Sequence, residues 1–272
     1  VKIPQKINKN QAYWCGQAGF WIDFSGTRLL IDPYLSDSLA VKYAGTKFPH
    51  QRMMPIPVKP QDLPCPDVVL ITHAHTDHMD GETLSHIAEQ HHDVAFVVPA
   101  AEAQKARERI GRDAKIYFAS AGDVLTFGKL EVSVLPSYHE VRKQNDKGQD
   151  YYLGYAISDG NTCLYHSGDS VADPELYNEL SRVKPDIAFL PVNGRDKERA
   201  DNGVPGNMSA SEAVKLCLHC EISHLIAHHF GMFEFNSATE EDFALLKQEY
   251  ASLTIDLPSP LVPIALDCIE IV

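Results

Sequence analysis

The chain has 272 residues, 44% of them hydrophobic and 22% charged, an ordinary balance for a chain with a substantial core. Its 24 basic against 37 acidic residues leave a net charge of −13, which argues against nucleic acid or an anionic membrane as partner, because both need clustered Lys and Arg. Six scattered cysteines do not suggest a disulfide framework, and no apolar run reads as a membrane span or signal peptide, so cytoplasm is the expected location.

In chain order, the opening third is rich in strand signals. Phe20, Ile22 and Phe24 alternate, Ser25-Gly26 supplies a turn, and Leu29-Leu30-Ile31 runs into Asp32-Pro33, which reads as a hairpin. Residues 36 to 66 carry prolines at 49, 55, 57, 60, 64 and 66 and show no clear element; a stretch that long is often functional, and its 49–66 part could serve an interface in a homo-oligomer. Val68 to Ile71 is a short buried strand ending at Thr72. A helix over 82–91, a strand over 94–98, a helix over 101–110 and a strand over 115–118 follow. Leu125 to Leu135 suggests a hairpin turning at Phe127-Gly128, and 151–157 with 162–165 another around Asp159-Gly160. Then come helix 174–182, strand 187–190, a long loop over 192–208, and helix 210–220 opened by a Ser209/Glu212 capping box. Strand 223–227, a helix near 239–250 and a last strand near 264–271 complete the chain. Two packed sheets with helices outside accommodate this order without a linker.

The segment Thr72-His73-Ala74-His75-Thr76-Asp77-His78 puts four ligand-type residues within six positions at a strand end. Neutral imidazole and carboxylate are ligands of zinc-like ions. On an extended stretch residues 73, 75 and 77 point one way, and a sharp turn lets 77 and 78 face a second ion. A polar surface turn is the competing account. Core packing is not, because burying such groups without partners is costly. Three more strand ends carry ligand-type residues: His139 after Leu135, Asp169 beside Gly168 after Tyr165, and the His228-His229 pair after Ala227. Cys217-Leu218-His219-Cys220 lies within a helix and has no second pair at zinc-finger spacing, so its cysteines read as core. His50, in the proline-rich loop, is a candidate for lining a pocket.

This pattern resembles the metallo-β-lactamase fold superfamily, whose signature is H-x-H-x-D-H followed by a His, an Asp and a His, each after a strand. The resemblance implies an α/β, αββα sandwich forming a single domain over residues 1–272, with a dinuclear site at one edge. It implies that His73, His75 and His139 bind one divalent ion, that Asp77, His78 and His228 bind the other, and that Asp169 bridges them. It favours His228 over His229 as the ligand. Asp32 matches the aspartate that sits behind the ligands and orients an imidazole. Within the superfamily the chain is similar to the L-ascorbate-6-phosphate lactonase-like branch, on Leu164-Tyr165-His166-Ser167-Gly168-Asp169-Ser170, Asn207-Met208-Ser209-Ala210-Ser211-Glu212-Ala213 and the His228-His229 pair. Ser137-Tyr138-His139 departs from that branch, and Gln17 stands where many relatives carry His.

The implied activity is that of a metallohydrolase. A metal-bound hydroxide, formed because the ion lowers the pKa of water towards about 7, opens a lactone or ester of a small sugar-like acid, phosphorylated or not. Asp77 and Asp169 are the candidate catalytic carboxylates. Arg195 and Lys197, on the second long loop, are candidates for holding an anionic small-molecule substrate, against the alternative of a solvated charge run. The expected cofactors are two divalent ions, Zn or Mn, with Fe or Ni compatible with the same ligands. A phosphodiesterase or ribonuclease of the same fold is the runner-up, and a metal-binding protein without hydrolytic activity is the alternative of another class.

Overall fold

The computed structural model describes residue 3 and residues 10–266. In chain order its strands are β1 (Gln11–Gly16), β2 (Gly19–Phe24), β3 (Thr27–Ile31), β4 (Val68–Leu70), β5 (Ala95–Pro99), β6 (Lys115–Ala119), β7 (Val124–Phe127), β8 (Leu130–Pro136), β9 (Leu153–Ser158), β10 (Cys163–His166), β11 (Ile187–Pro191), β12 (His224–His228), β13 (Thr254–Asp256) and β14 (Pro263–Ala265). The helices are α1 (Ser38–Lys42), α2 (Gly81–Gln90), α3 (Ala103–Ile110), α4 (Pro174–Val183), α5 (Lys197–Asp201), α6 (Ala210–His219) and α7 (Glu240–Glu249).

The strands form two seven-stranded sheets, ordered β14-β1-β2-β3-β4-β5-β6 and β13-β12-β11-β10-β9-β8-β7. Each mixes antiparallel hairpins with a parallel run, β3 to β6 in the first and β10 to β13 in the second. Alternation along β2 explains the layering. Phe20, Ile22 and Phe24 enter the core between the sheets with Val132, Tyr155 and Phe189 of the second sheet, while Trp21 faces the other way among Leu84 and Ile87 of α2 and Ala106 of α3. The outer face of the second sheet packs on Leu176 and Leu180 of α4, Val214 and Cys217 of α6 and Phe243 of α7. The result is a single αββα domain with helices on both outer faces, as the sequence pattern implied. Cys217 and Cys220 are buried core residues, as expected of a helix-borne pair.

Four elements have no counterpart in the sequence reading. β1 is apolar on both faces and so lacks a period of two. α1 and α5 are five-residue helices inside the two long loops, too short to show helical periodicity. β13 is a three-residue edge strand that pairs with β12. β14 begins near the expected last strand, and the part of that expectation past residue 266 lies outside the described residues. No helix among the described residues is long and apolar enough to cross a membrane.

Candidate metal centre

Strands β8, β10 and β12 run the same way, and each delivers a ligand-type side chain just past its end. Opposite them, the loop after β4 carries the His73–His78 segment. Its backbone is fastened: the Tyr155 hydroxyl donates to Ile71 O at 2.7 Å, and Arg109 donates to Ala74 O at 2.7 Å and Met79 O at 2.9 Å. Asp80 then caps α2 by accepting from the Thr83 N–H.

The donor atoms of His73, His75, His139 and Asp169 all lie within 4.8 Å of one another, and those of Asp77, His78 and His229 form a second such group. Asp169 stands between them. One of its oxygens is 3.2 Å from His78 Nε2; the other is 3.3 Å from His229 Nε2 and 3.8 Å from His139 Nε2. Behind the cluster, buried Asp32 accepts from His78 Nδ1 at 2.7 Å, from the Thr72 N–H at 2.8 Å and from the Thr72 hydroxyl at 2.5 Å. A carboxylate on Nδ1 sets the tautomer and leaves His78 Nε2 free to face the cluster. The turn that presents Asp169 needs Gly168: its φ is +59°, and a Cβ there would come within 2.6 Å of the Thr72 Cβ.

His229, not His228, faces the cluster. His228 has the strand parity of Ile226 and so points into the inter-sheet core, where its ring stacks on His166 at 4.8 Å and 8°. The chain then leaves β12 with His229 at φ +60°, and its N–H donates to Gln17 O at 3.0 Å, which swings the second imidazole onto Asp77 and Asp169. Alternation cannot foresee a left-handed residue at that point. Gln17 is the partner that the sequence reading left out of the site: its Nε2 donates to Asp77 Oδ2 at 2.9 Å and lies 3.1 Å from His229 Nε2.

The cluster has the chemistry of a cation site. His73 Nε2, His78 Nε2, both His139 nitrogens and Asp169 Oδ1 are buried with no aligned hydrogen-bond partner, a costly arrangement in a protein core unless another group satisfies them. Burial and the neighbouring imidazoles hold His73 well below the ordinary range, and burial takes His139 down to about 4, so both rest in the neutral, ligating form. Burial also disfavours charge on His78 and His229, but the Asp169, Asp32 and Asp77 carboxylates outweigh it; His78 is raised well above its usual value and His229 to about 9. Imidazole and carboxylate donors in two overlapping groups fit a pair of divalent ions.

A cavity of about 460 Å³ opens over the cluster, reached by His75, Asp77, His139, Asp169 and His229. Its other charged lining residues, among those described, are all cations: Lys42, Lys47, Lys105 and Arg109. Arg195 and Lys197 do not reach it. Arg195 forks onto both carboxylate oxygens of Glu212, at 2.7 and 2.6 Å, and also donates to Asn207 O; Lys197 pairs with Asp201 one turn along α5. The charge-run reading of residues 195–199 therefore describes them better than a substrate-holding role. His50 does line the cavity, stacked on Tyr43 at 4.3 Å.

A family model described as the beta-lactamase superfamily domain matches residues 27–230, which contain every member of both donor groups. The chain belongs to the metallo-β-lactamase superfamily. A superfamily relative in Methanopyrus kandleri, a UPF0173 metal-dependent hydrolase, is 26% identical over 258 residues, covering 90% of this chain and 93% of its own length. The mitochondrial N-acyl-phosphatidylethanolamine-hydrolyzing phospholipase D of Saccharomyces cerevisiae is 24% identical over 262 residues; the match covers 86% of this chain but only 51% of the yeast protein. Among solved structures, an isothiocyanate hydrolase from Delia radicum gut bacteria shares the fold with a TM-score of 0.77 and 20% identity, covering 95% of this chain and 99% of that one.

Proposed function

We propose that this superfamily member is a metal-dependent hydrolase that cleaves an ester bond in a small anionic substrate. One observation carries the reading: seven donor side chains, several with orphaned buried donor atoms, converge beneath a cavity whose other charged lining residues are cations. His73, His75 and His139 would hold one divalent ion, zinc or manganese, and Asp77, His78 and His229 the other, with Asp169 shared. Bound there, such ions supply a water of lowered pKa and neutralise developing negative charge. The chain's own residues do the rest. Asp32 and Thr72 lock His78, Gln17 steers Asp77, and Lys42, which unlike Lys47 has no acidic partner among the described residues, draws the anion into the cavity. Asp77 and Asp169, the two carboxylates that line the cavity, would relay a proton from the attacking water to the leaving group.

For the bond cleaved, the lactone of a small sugar-like acid is the favoured substrate, supported by the motifs ending at Ser170, Ala213 and His229. A phosphodiester is the second reading, favoured by the yeast relative, whose name specifies a phospholipase D. Purified protein loaded separately with Mn²⁺ and Zn²⁺, screened on phosphorylated sugar lactones and on phosphodiesters, separates the two. Turnover of phosphodiesters alone removes the lactone reading. A protein that binds the metals and turns over neither class removes the hydrolase.

A further inference from the structure

One wall of the cavity rests on a buried chain of amides whose direction is set by a single cation. Arg199, 9% exposed, directs Nη1 to Asn193 O at 3.2 Å and to Asn236 Oδ1 at 2.5 Å, while its Nε holds Asp196. A guanidinium only donates, so Asn236 must turn its oxygen towards Arg199. The same oxygen accepts from Asn193 Nδ2 at 2.7 Å, and Asn193 Oδ1 accepts from Asn207 Nδ2 at 3.1 Å. Flipping Asn236 would set its NH₂ group against a guanidinium and a second NH₂ group. Asn236 lines the cavity and is 6% exposed; its oxygen is doubly engaged, and its Nδ2 makes no hydrogen bond among the described residues. The cavity is thus given a donor of fixed orientation, in addition to its lysines.

We propose that Asn236 is a specificity-determining residue whose Nδ2–H binds an anionic oxygen of the substrate, carboxylate or phosphoryl. This rests on the cavity being the substrate site. Lys42 attracts the negative charge from any direction, whereas a locked amide N–H donates only to an oxygen placed at one point, so Asn236 selects among anions by shape. A neutral hydroxyl oxygen can accept there too, but more weakly than an anionic one.

Metal-loaded wild type, Asn236→Asp and Asn236→Ser are titrated calorimetrically with inorganic phosphate and with acetate, and assayed on bis(p-nitrophenyl) phosphate and p-nitrophenyl acetate. Asp keeps the oxygen that Arg199 and Asn193 need but replaces the free donor by a carboxylate oxygen whose charge also repels anions, whereas Ser removes the amide without adding charge, so a loss shared by both variants reports the donor and a loss confined to Asp reports repulsion and overturns the proposal. The expected result is binding of at least one anion weakened by about tenfold or more, with KM rising in step, kcat held, and metal content and melting temperature unchanged. Ser, which removes the amide without adding charge, gives the same loss and stands alone should the Asp variant not fold. A folded, metal-loaded variant that binds both anions as tightly as wild type overturns the proposal, as does a wild type that binds neither. If wild type binds an anion but hydrolyses neither ester, the titrations still decide Asn236, so failure of the hydrolase reading is a separate result.

Discussion

Asp32 accepts a hydrogen bond from His78 Nδ1 at 2.7 Å, and neither side chain is exposed to solvent. The contact joins the end of β3 to the loop after β4 across 46 positions of sequence, and it determines which imidazole nitrogen faces the cluster of donor side chains. Outer partners of this kind are worth about 10–100-fold in metal affinity. Asp32→Asn is therefore expected to weaken the ion held by Asp77, His78 and His229 by that order, while the ion at His73, His75 and His139 is retained. Metal content after dialysis against a graded chelator reads both ions separately. Equal retention by the variant and wild type would show that Asp32 does not orient His78.

The two adjacent histidines should separate cleanly. His229→Ala removes a donor of the second group and is expected to lower bound metal by about one equivalent and abolish turnover. His228→Ala leaves every donor in place and instead opens a hole beside His166 and Phe20, so its effect falls on stability, about 1–3 kcal/mol, with metal stoichiometry kept. Loss of metal from His228→Ala with His229→Ala fully loaded would reverse the assignment.

Metal loading should compete with protons. In the metal-free protein the Asp169 and Asp77 carboxylates overcome the effect of burial and raise His229 to about 9, so near neutrality its imidazole is protonated and cannot ligate. Binding must expel that proton. Apparent affinity for Mn²⁺ is expected to rise as pH increases from about 6 towards 9, with protons released into weakly buffered solution on each addition. Affinity that is flat over that range, with no proton release, contradicts this.

The cations that matter are those of the cavity. Lys42 lies over the Tyr43 ring at 4.9 Å and has no acidic partner among the described residues, whereas Arg195 and Lys197 are already paired with Glu212 and Asp201. Lys42→Ala is expected to raise KM for an anionic ester several-fold with kcat little changed, and Lys197→Ala to leave both parameters alone. Steady-state kinetics at low and high salt check this, since the Lys42 effect should shrink as ionic strength rises.

Gly168→Ala is expected to cost about 2–4 kcal/mol, because a left-handed backbone and a methyl group pressed against Thr72 act together. Chemical denaturation of the metal-free protein measures it without interference from lost ligation. A change below about 0.5 kcal/mol would mean that the Thr72 side chain gives way freely.

Much of this protein was legible in the linear chain. Ligand chemistry is local and dense in His73 to His78, and strand ends can be read from residue pattern, so two packed sheets and ligand-type residues such as His139 and Asp169 at strand ends follow from residue types and spacing, while the αββα arrangement and their meeting in one site came with the resemblance to the superfamily. Asp32 came from the resemblance to the superfamily rather than from alternation; it closes β3, which pairs with β4, the strand that leads into His73.

What only the tertiary structure decided depends on backbone departures and on pairing across distance. A positive φ at His229 turns that ring, rather than the expected His228, onto the donor cluster, and no periodicity carries that information. For Arg195 and Lys197 the chain left substrate binding and a self-neutralising charge run both open until α5 and α6 paired them with Asp201 and Glu212, while Lys42 and Lys47, in a stretch with no readable element, were carried to the cavity by a five-residue helix and the loop after it. Short elements that line the cavity are set by the free energy of contacts far apart in sequence, whereas a metal-binding turn is set by residues side by side; that is why the chemistry of the centre could be read from the chain and the walls of its cavity could not.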